Sequence, residues 1–125
     1  MILDTNAVSA LLEGDSALEV LLAGATRHEL PVIVIGEYRY GLARSRARRS
    51  LGRLFEELVR ESMVLTVGIE TAAAYARVRD ALRAQGTPIP ENDVWISALA
   101  VQHGLEIASR DTDFDRVVGV RRRGW

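Results

Sequence analysis

The sequence predicts an α/β fold, a parallel sheet of four to five strands flanked by helices on both faces. Short β-branched apolar runs alternate with longer segments of helical periodicity, the pattern of strands joined by crossover helices. The apolar runs are continuous rather than alternating with polar residues, as expected of strands buried on both faces. A chain of 125 residues, 48% apolar and 26% charged, can bury a core of its own. No repeat, low-complexity tract or linker interrupts it, so residues 1–125 read as a single domain.

Taken in order, Met1 to Asp4 reads as a short buried strand. Ala7 to Glu13 forms a short helix ending near Gly14, and Asp15-Ser16 caps a second helix running to about Ala23. Leu30 to Ile35 (LPVIVI) is read as the second strand, buried on both faces. A helix follows from Glu37 to about Arg44. Another runs from about Ala47 to Glu61, with Leu51, Leu54, Phe55, Leu58 and Val59 as its apolar stripe. Met63 to Val67 is a third strand. Thr71 to Ala84 is an Ala-rich helix closed by Gly86, and its Ala72, Ala73 and Ala76 would allow close helix packing within the fold or between protomers.

Thr87 to Pro90 is a loop, because neither Pro88 nor Pro90 fits a helix interior or a central strand. A helix starting at Asn92 or Asp93 runs to about His103 and stops at Gly104. Trp95, one turn before Leu99, is assigned to the core. Glu106 to Ser109 is the fourth strand and Val117 to Val120 the candidate fifth.

Composition removes several chemistries. Cysteine is absent, so neither disulfides nor thiolate ligands are available. All 16 basic residues are Arg, and without Lys neither a P-loop nor a Schiff base can be built. The two His, His28 and His103, are assigned to a surface turn and a helix end. With no Gly-x-Ser-x-Gly elbow, a Ser-His-Asp hydrolase has little to work with. The net charge of −1 is no sign of a nucleic-acid binder in itself. Apolar runs are too short to span a bilayer, and Met1 leads to Asp4 without a leader pattern, so a cytoplasmic protein with no membrane association is expected.

Carboxylates remain as the reactive groups. Ligands of open parallel sheets bind at the carboxyl ends of the strands. Asp4 ends the first strand, Glu37 lies two residues past the second as read here, and Asp111 lies just past the Glu106–Ser109 strand. Asp93 opens a helix after a loop and can reach the same rim. Glu56, Glu57, Glu61 and Asp80 read instead as outward helix positions. Individually, Asp4 and Asp111 are explained as helix caps, and Glu37 and Asp93 as responses to a helix dipole. Their joint placement at one sheet edge carries the functional reading. Close carboxylates raise one another's pKa unless a cation neutralises them, and all-oxygen ligation favours Mg²⁺ or Mn²⁺. The reaction best suited to such a site is hydrolysis of a phosphodiester by metal-activated water.

Four motifs then resemble one family. They are Ile2-Leu3-Asp4-Thr5-Asn6, Val34-Ile35-Gly36-Glu37 followed by Gly41, Pro90-Glu91-Asn92-Asp93-Val94-Trp95-Ile96-Ser97-Ala98, and Ala108-Ser109-Arg110-Asp111-Thr112-Asp113-Phe114. In this order and at these separations the chain resembles, nearly end to end, the PIN-domain ribonucleases, in particular the VapC-type toxins of bacterial toxin–antitoxin pairs. The resemblance implies a PIN fold, a Mg²⁺ or Mn²⁺ cofactor and endonucleolytic cleavage of RNA. Asp4, Glu37 and Asp93 match the family's firmest acidic positions and Asp111 the more variable fourth, a role Asp113 is close enough to share or replace. Thr5, Asn6, Asn92 and Ser109 look like groups that orient the carboxylates. The family's usual partner is a small VapB-type antitoxin, often DNA-binding, and its usual state is a homodimer.

Two further Arg groups stand out. Arg44, Arg46, Arg48, Arg49 and Arg53 could contact an RNA backbone or form a solvated face pairing with Glu56 and Glu57. Arg121-Arg122-Arg123 poses the same choice. Two other functions remain open at this stage. One is a phosphatase or phosphoacceptor with Asp4 as nucleophile, weakened because Asn6 stands where a second Asp would be expected. The other is a non-catalytic module whose acidic rim holds a basic partner.

Overall fold

The computed structural model describes residues 1–125, the side chain of Arg48 excepted. In chain order its elements are β1 (Ile2–Leu3), α1 (Thr5–Leu12), α2 (Ser16–Leu22), β2 (Glu29–Pro31), α3 (Val32–Ala43), α4 (Arg48–Glu61), β3 (Met63–Leu65), α5 (Ile69–Gln85), α6 (Glu91–His103), β4 (Ile107–Ala108), a 3₁₀ turn (Thr112–Arg116) and β5 (Arg122–Arg123). The five strands form one parallel sheet in the order β3-β2-β1-β4-β5. β1 is central, with Ile2 opposite both Glu29 and Ile107. The chain leaves β1 for β2 and β3 on one side and returns to β4 and β5 on the other. The switch point therefore lies between the carboxyl ends of β1 and β4, where a crevice opens.

Strand side chains from β1, β2 and β4 (Ile2, Leu3, Leu30, Ile107, Ala108) are sealed from solvent together with Val8, Leu18, Val34, Phe55, Ile96 and Leu99 from the helices. Burying side chains of this kind stabilises by about 1.5–3 kcal/mol each. Helix ends follow local chemistry. The Asp15 carboxylate caps α2 by accepting from the amides of Ala17 and Leu18 at 3.0 and 3.1 Å. Gly86 and Gly104 close α5 and α6 at φ +69° and +64°, a region that favours glycine. Among the described residues no helix is long and apolar enough to cross a membrane.

Two strand expectations are corrected. Val32–Ile35 is not strand: β2 ends at Pro31, and these residues form the first turn of α3. A strand buried on both faces would hide all four. Here Val34 and Ile35 face the core with Tyr38 one turn on, while Val32 is exposed. β-Branched residues cost a helix only a few tenths of a kcal/mol each, which the burial of Val34 and Ile35 outweighs. The fifth strand is Arg122–Arg123 rather than Val117–Val120. The latter residues turn, with the Val120 amide donating to the Val117 carbonyl and Gly119 at φ +86°. An edge strand is satisfied by backbone pairing alone, so two Arg can supply it.

Trp95 is only partly buried, stacked on Tyr75 with ring centroids 4.0 Å apart. Its side of α6 meets α5 rather than the sheet core, which corrects its assignment to the core. Ala72, Ala73 and Ala76 are exposed, and α5 packs inward through Thr71, Ala74, Val78 and Leu82 instead. Within the fold the Ala face is therefore unused. His28 is partly buried, not on a surface turn, with burial lowering its pKa. His103 is exposed in the last turn of α6.

Candidate active site

Asp4 is the first residue past β1, where extended backbone gives way to α1. Its carboxylate accepts from the Thr5 amide at 2.7 Å, so it caps that helix. The cap is also a hub. Asp4 Oδ2 accepts from Asn6 Nδ2 at 3.0 Å and from Ser109 Oγ at 2.8 Å, and the residue is 5% exposed. Burial raises its pKa despite the Ser109 and Thr5 hydrogen bonds, and Glu37 and Asp111 push the same way.

Ser109 is the first residue past β4, across the switch point. Besides donating to Asp4, its hydroxyl accepts from Asn6 Nδ2 at 3.1 Å and from the Asp111 amide at 2.9 Å. The Asn6 side-chain oxygen accepts from the Arg110 amide at 3.0 Å. Three of these hydrogen bonds tie the end of β1 to the loop after β4, and the fourth, from the Asp111 amide, holds that loop to itself. Asp111 starts the 3₁₀ turn and accepts from the Asp113 amide at 2.9 Å.

The correction to α3 also moves Glu37, from the start of a helix two residues past a strand to the second turn of that helix. Thr5 Oγ1 and Asn92 Nδ2 each donate to it at 2.7 Å, which links α1, α3 and α6. Asp93 lies in the first turn of α6. Asp93, Asp111 and Asp113 each present an oxygen within 4.8 Å of the others. Burial, then the charges of Asp4, Asp111, Glu37 and Asp113 in that order, raise the Asp93 pKa to about 7. These five carboxylates therefore act on one another electrically, though only three form the tight group.

Burial and then the neighbouring carboxylates hold the Asp93 pKa up at about 7, and a cation held by these oxygens would offset both. The donor set is all oxygen and fits a hard divalent cation. Asp113 also pairs with Arg116 at 3.1 Å, leaving it one uncommitted oxygen. Every acid and orienting residue expected from the sequence lies in this assembly.

The Arg expectations divide. Arg44, Arg46, Arg49 and Arg53 are exposed around the α3–α4 junction, and Arg44 Nη1 donates to Tyr40 Oη at 2.9 Å. The Arg48 side chain lies outside the described residues. Glu56 pairs with Arg39 at 3.0 Å rather than with this cluster. The carboxy-terminal Arg are structural: Arg123 pairs with Glu106 at 3.2 Å, and Arg122 grips Asp115 through Nε and Nη2, both at 2.9 Å. Arg122 Nη1 also donates to the Ser109 carbonyl at 2.9 Å, bracing the acidic loop from below. Arg110 lies 4.6 Å over the Trp125 ring and pairs with Asp15 at 2.6 Å. No spacing in the sequence signals these last contacts, because they join positions that only the packing of separate elements brings together.

The sequence pattern of the PIN domain family matches residues 1–120. The VapC ribonuclease Y4jK of Sinorhizobium fredii is 33% identical over 90% of this chain and 87% of its own. Ribonuclease VapC4 of Mycobacterium tuberculosis is 32% identical over 66% of this chain, an alignment that spans 65% of that relative. Among solved structures, FitAcB from Neisseria gonorrhoeae superposes with a TM-score of 0.82 at 27% identity, covering 97% of this chain and 94% of that one. VapBC2 from Rickettsia felis, solved bound to a promoter DNA fragment, reaches 0.87 at 19% identity, covering 99% and 97%, and shows the shared fold.

Proposed function

This chain belongs to the PIN-domain family, among its VapC ribonucleases, and from that premise we propose that it is a metal-dependent endoribonuclease toxin. The observation that carries the reading is the convergence of Asp4, Glu37, Asp93, Asp111 and Asp113 on the β1–β4 switch point, with Asp93 raised to about 7. In this reading Asp93, Asp111 and Asp113 would hold a Mg²⁺ or Mn²⁺ ion, and Asp4 would add negative charge to the same site. When bound, the ion activates water and screens charge on the scissile phosphate. Glu37, held by Thr5 and Asn92, is oriented to accept a proton from the attacking water. Asn6 and Ser109 hold the Asp4 carboxylate in place, and the Ser109 hydrogen bond works against the burial that raises its pKa. Arg44, Arg46 and Arg49, with Arg48, contact the RNA backbone, a sequence-independent role suited to exposed guanidiniums.

The likeness to VapBC and FitAB complexes supports a VapB-type antitoxin as partner, and the exposed Ala72-Ala73-Ala76 face supports a homodimer. A phosphoacceptor role for Asp4 is disfavoured, since that carboxylate is buried and already accepts three hydrogen bonds.

The test is cleavage of total RNA with Mn²⁺, with EDTA, and by Asp93→Asn. EDTA is expected to abolish cleavage and Asp93→Asn to reduce it at least about 100-fold, a loss of about 2.7 kcal/mol in transition-state stabilisation. Equal cleavage by the variant would sink the mechanism.

A further inference from the structure

Outside the acidic cluster, a recess of about 410 Å³ opens between α5 and the 86–91 segment, within the size range of small-ligand sites (~300–1,000 Å³). Leu82, Ile89 and Val94 supply apolar walls, and Arg79, Arg83 and Glu91 supply charge. Arg79 is held in place before any ligand arrives. Its Nη1 donates to Tyr75 Oη at 2.9 Å and pairs with Glu91, and its Cζ lies 5.8 Å from the Tyr75 ring centroid. Tyr75 in turn stacks on Trp95, inclined by 23°. Trp95, Tyr75 and Arg79 therefore form a column of flat groups that ends in an exposed guanidinium at the recess. Arg83, one turn further along α5, is exposed and takes part in no ion pair among the described residues.

The recess and the acidic cluster share one turn of α6. Glu91 lines the recess, Asn92 donates to Glu37, and Asp93 belongs to the acidic group. Two residues apart on a helix, Glu91 and Asp93 project about 200° apart, so the recess and the acidic cluster flank the first turn of α6 on different sides. Apolar walls suit a base, a planar guanidinium stacks on one, and a second guanidinium suits a phosphate.

We propose that this recess is a nucleotide subsite, seating a base that flanks the cut against Arg79, across the first turn of α6 from the acidic cluster, with a phosphate of the same strand on Arg83. The proposal rests on the ribonuclease reading for its place in the reaction, though binding itself can be tested apart from cleavage. Arg79→Lys keeps the charge but removes the planar stack, and Ile89→Trp fills the recess. On an RNA substrate either change should raise KM roughly five- to a hundredfold, the range of one base–side-chain stack. The nucleotide preference beside the cut should relax, while Mn²⁺ affinity stays unchanged. Wild-type KM and preference in both variants would overturn the subsite.

Separately, NMR titration of the wild-type protein with the four nucleoside 5′-monophosphates should shift amides around 79–94. Absence of those shifts rejects the subsite even if RNA is cleaved. Shifts without cleavage uphold the subsite and sink the ribonuclease reading instead. Saturation by an apolar peptide, with no response to nucleotides, would make the recess a protein-docking site and reject the proposal.

Discussion

Asp93 shows most directly what the cluster costs the fold. Folded, it keeps its proton to about pH 7, whereas an unfolded chain releases it near 3.8. Between those values the folded state binds the extra proton, so its contribution to stability is most favourable below about pH 4 and is lost as pH rises through about 7. Melting in EDTA at pH 5 and pH 8 should therefore show the metal-free protein weakening toward pH 8. Asp93→Asn should flatten that fall and stabilise the protein at pH 8 by about 1–2 kcal/mol after allowance for solvent screening. A variant that gains stability while losing cleavage would identify strain kept for function. Ser109→Ala tests the opposite case. Its hydroxyl serves Asp4, Asn6 and the Asp111 amide in a site closed to solvent, so its loss should cost about 1–3 kcal/mol and weaken Mn²⁺ binding. Calorimetric titration with Mn²⁺ measures the second effect.

Among the elements, α3 carries the main revision. Gly36 lies within it, and a Cβ added there would meet nothing within 4 Å. Gly36→Ala is therefore expected to stabilise by about 0.5–1 kcal/mol, as in any unobstructed helix interior. Thermal unfolding would register a rise of a few degrees. Destabilisation would mean that the segment is not the helix described here. The loop after β4 depends on β5 in a different way. Arg122 joins Asp115 to the Ser109 carbonyl, so Arg122→Ala should loosen the turn carrying Asp111 and Asp113 and lower Mn²⁺ affinity about 10–100-fold. Exchanging the pair (Asp115→Arg with Arg122→Asp) should recover less than half of that loss, because the carbonyl contact is not restored.

For the whole molecule, cation binding should appear as stability. Binding to the folded state alone adds about 2.7 kcal/mol at a concentration of 100 Kd. Melting with excess Mn²⁺ should accordingly raise the Tm by several degrees, and Asp93→Asn should abolish most of the rise. The alternation of apolar runs with helical segments was enough to read a parallel α/β sheet, because one face or stripe of each element must be apolar wherever it packs. Asp4, Asp93 and Ser109 were legible as well, since each stands where an element begins or ends. Val32–Ile35 was not, because a short β-branched run fits a buried strand and a buried helical turn equally well until its neighbours decide which residue faces outward. Arg122, Asp115 and the Trp95–Tyr75–Arg79 column were also beyond reach, because their contacts cross between elements. The sequence by itself determined the class of fold and the kinds of group at the site, since periodicity and residue chemistry are local. Only the tertiary structure decided which carboxylates approach within reach of one ion and which arginines brace them. Those distances depend on how β1, β4, α3 and α6 meet at the sheet edge, and no single segment encodes that meeting.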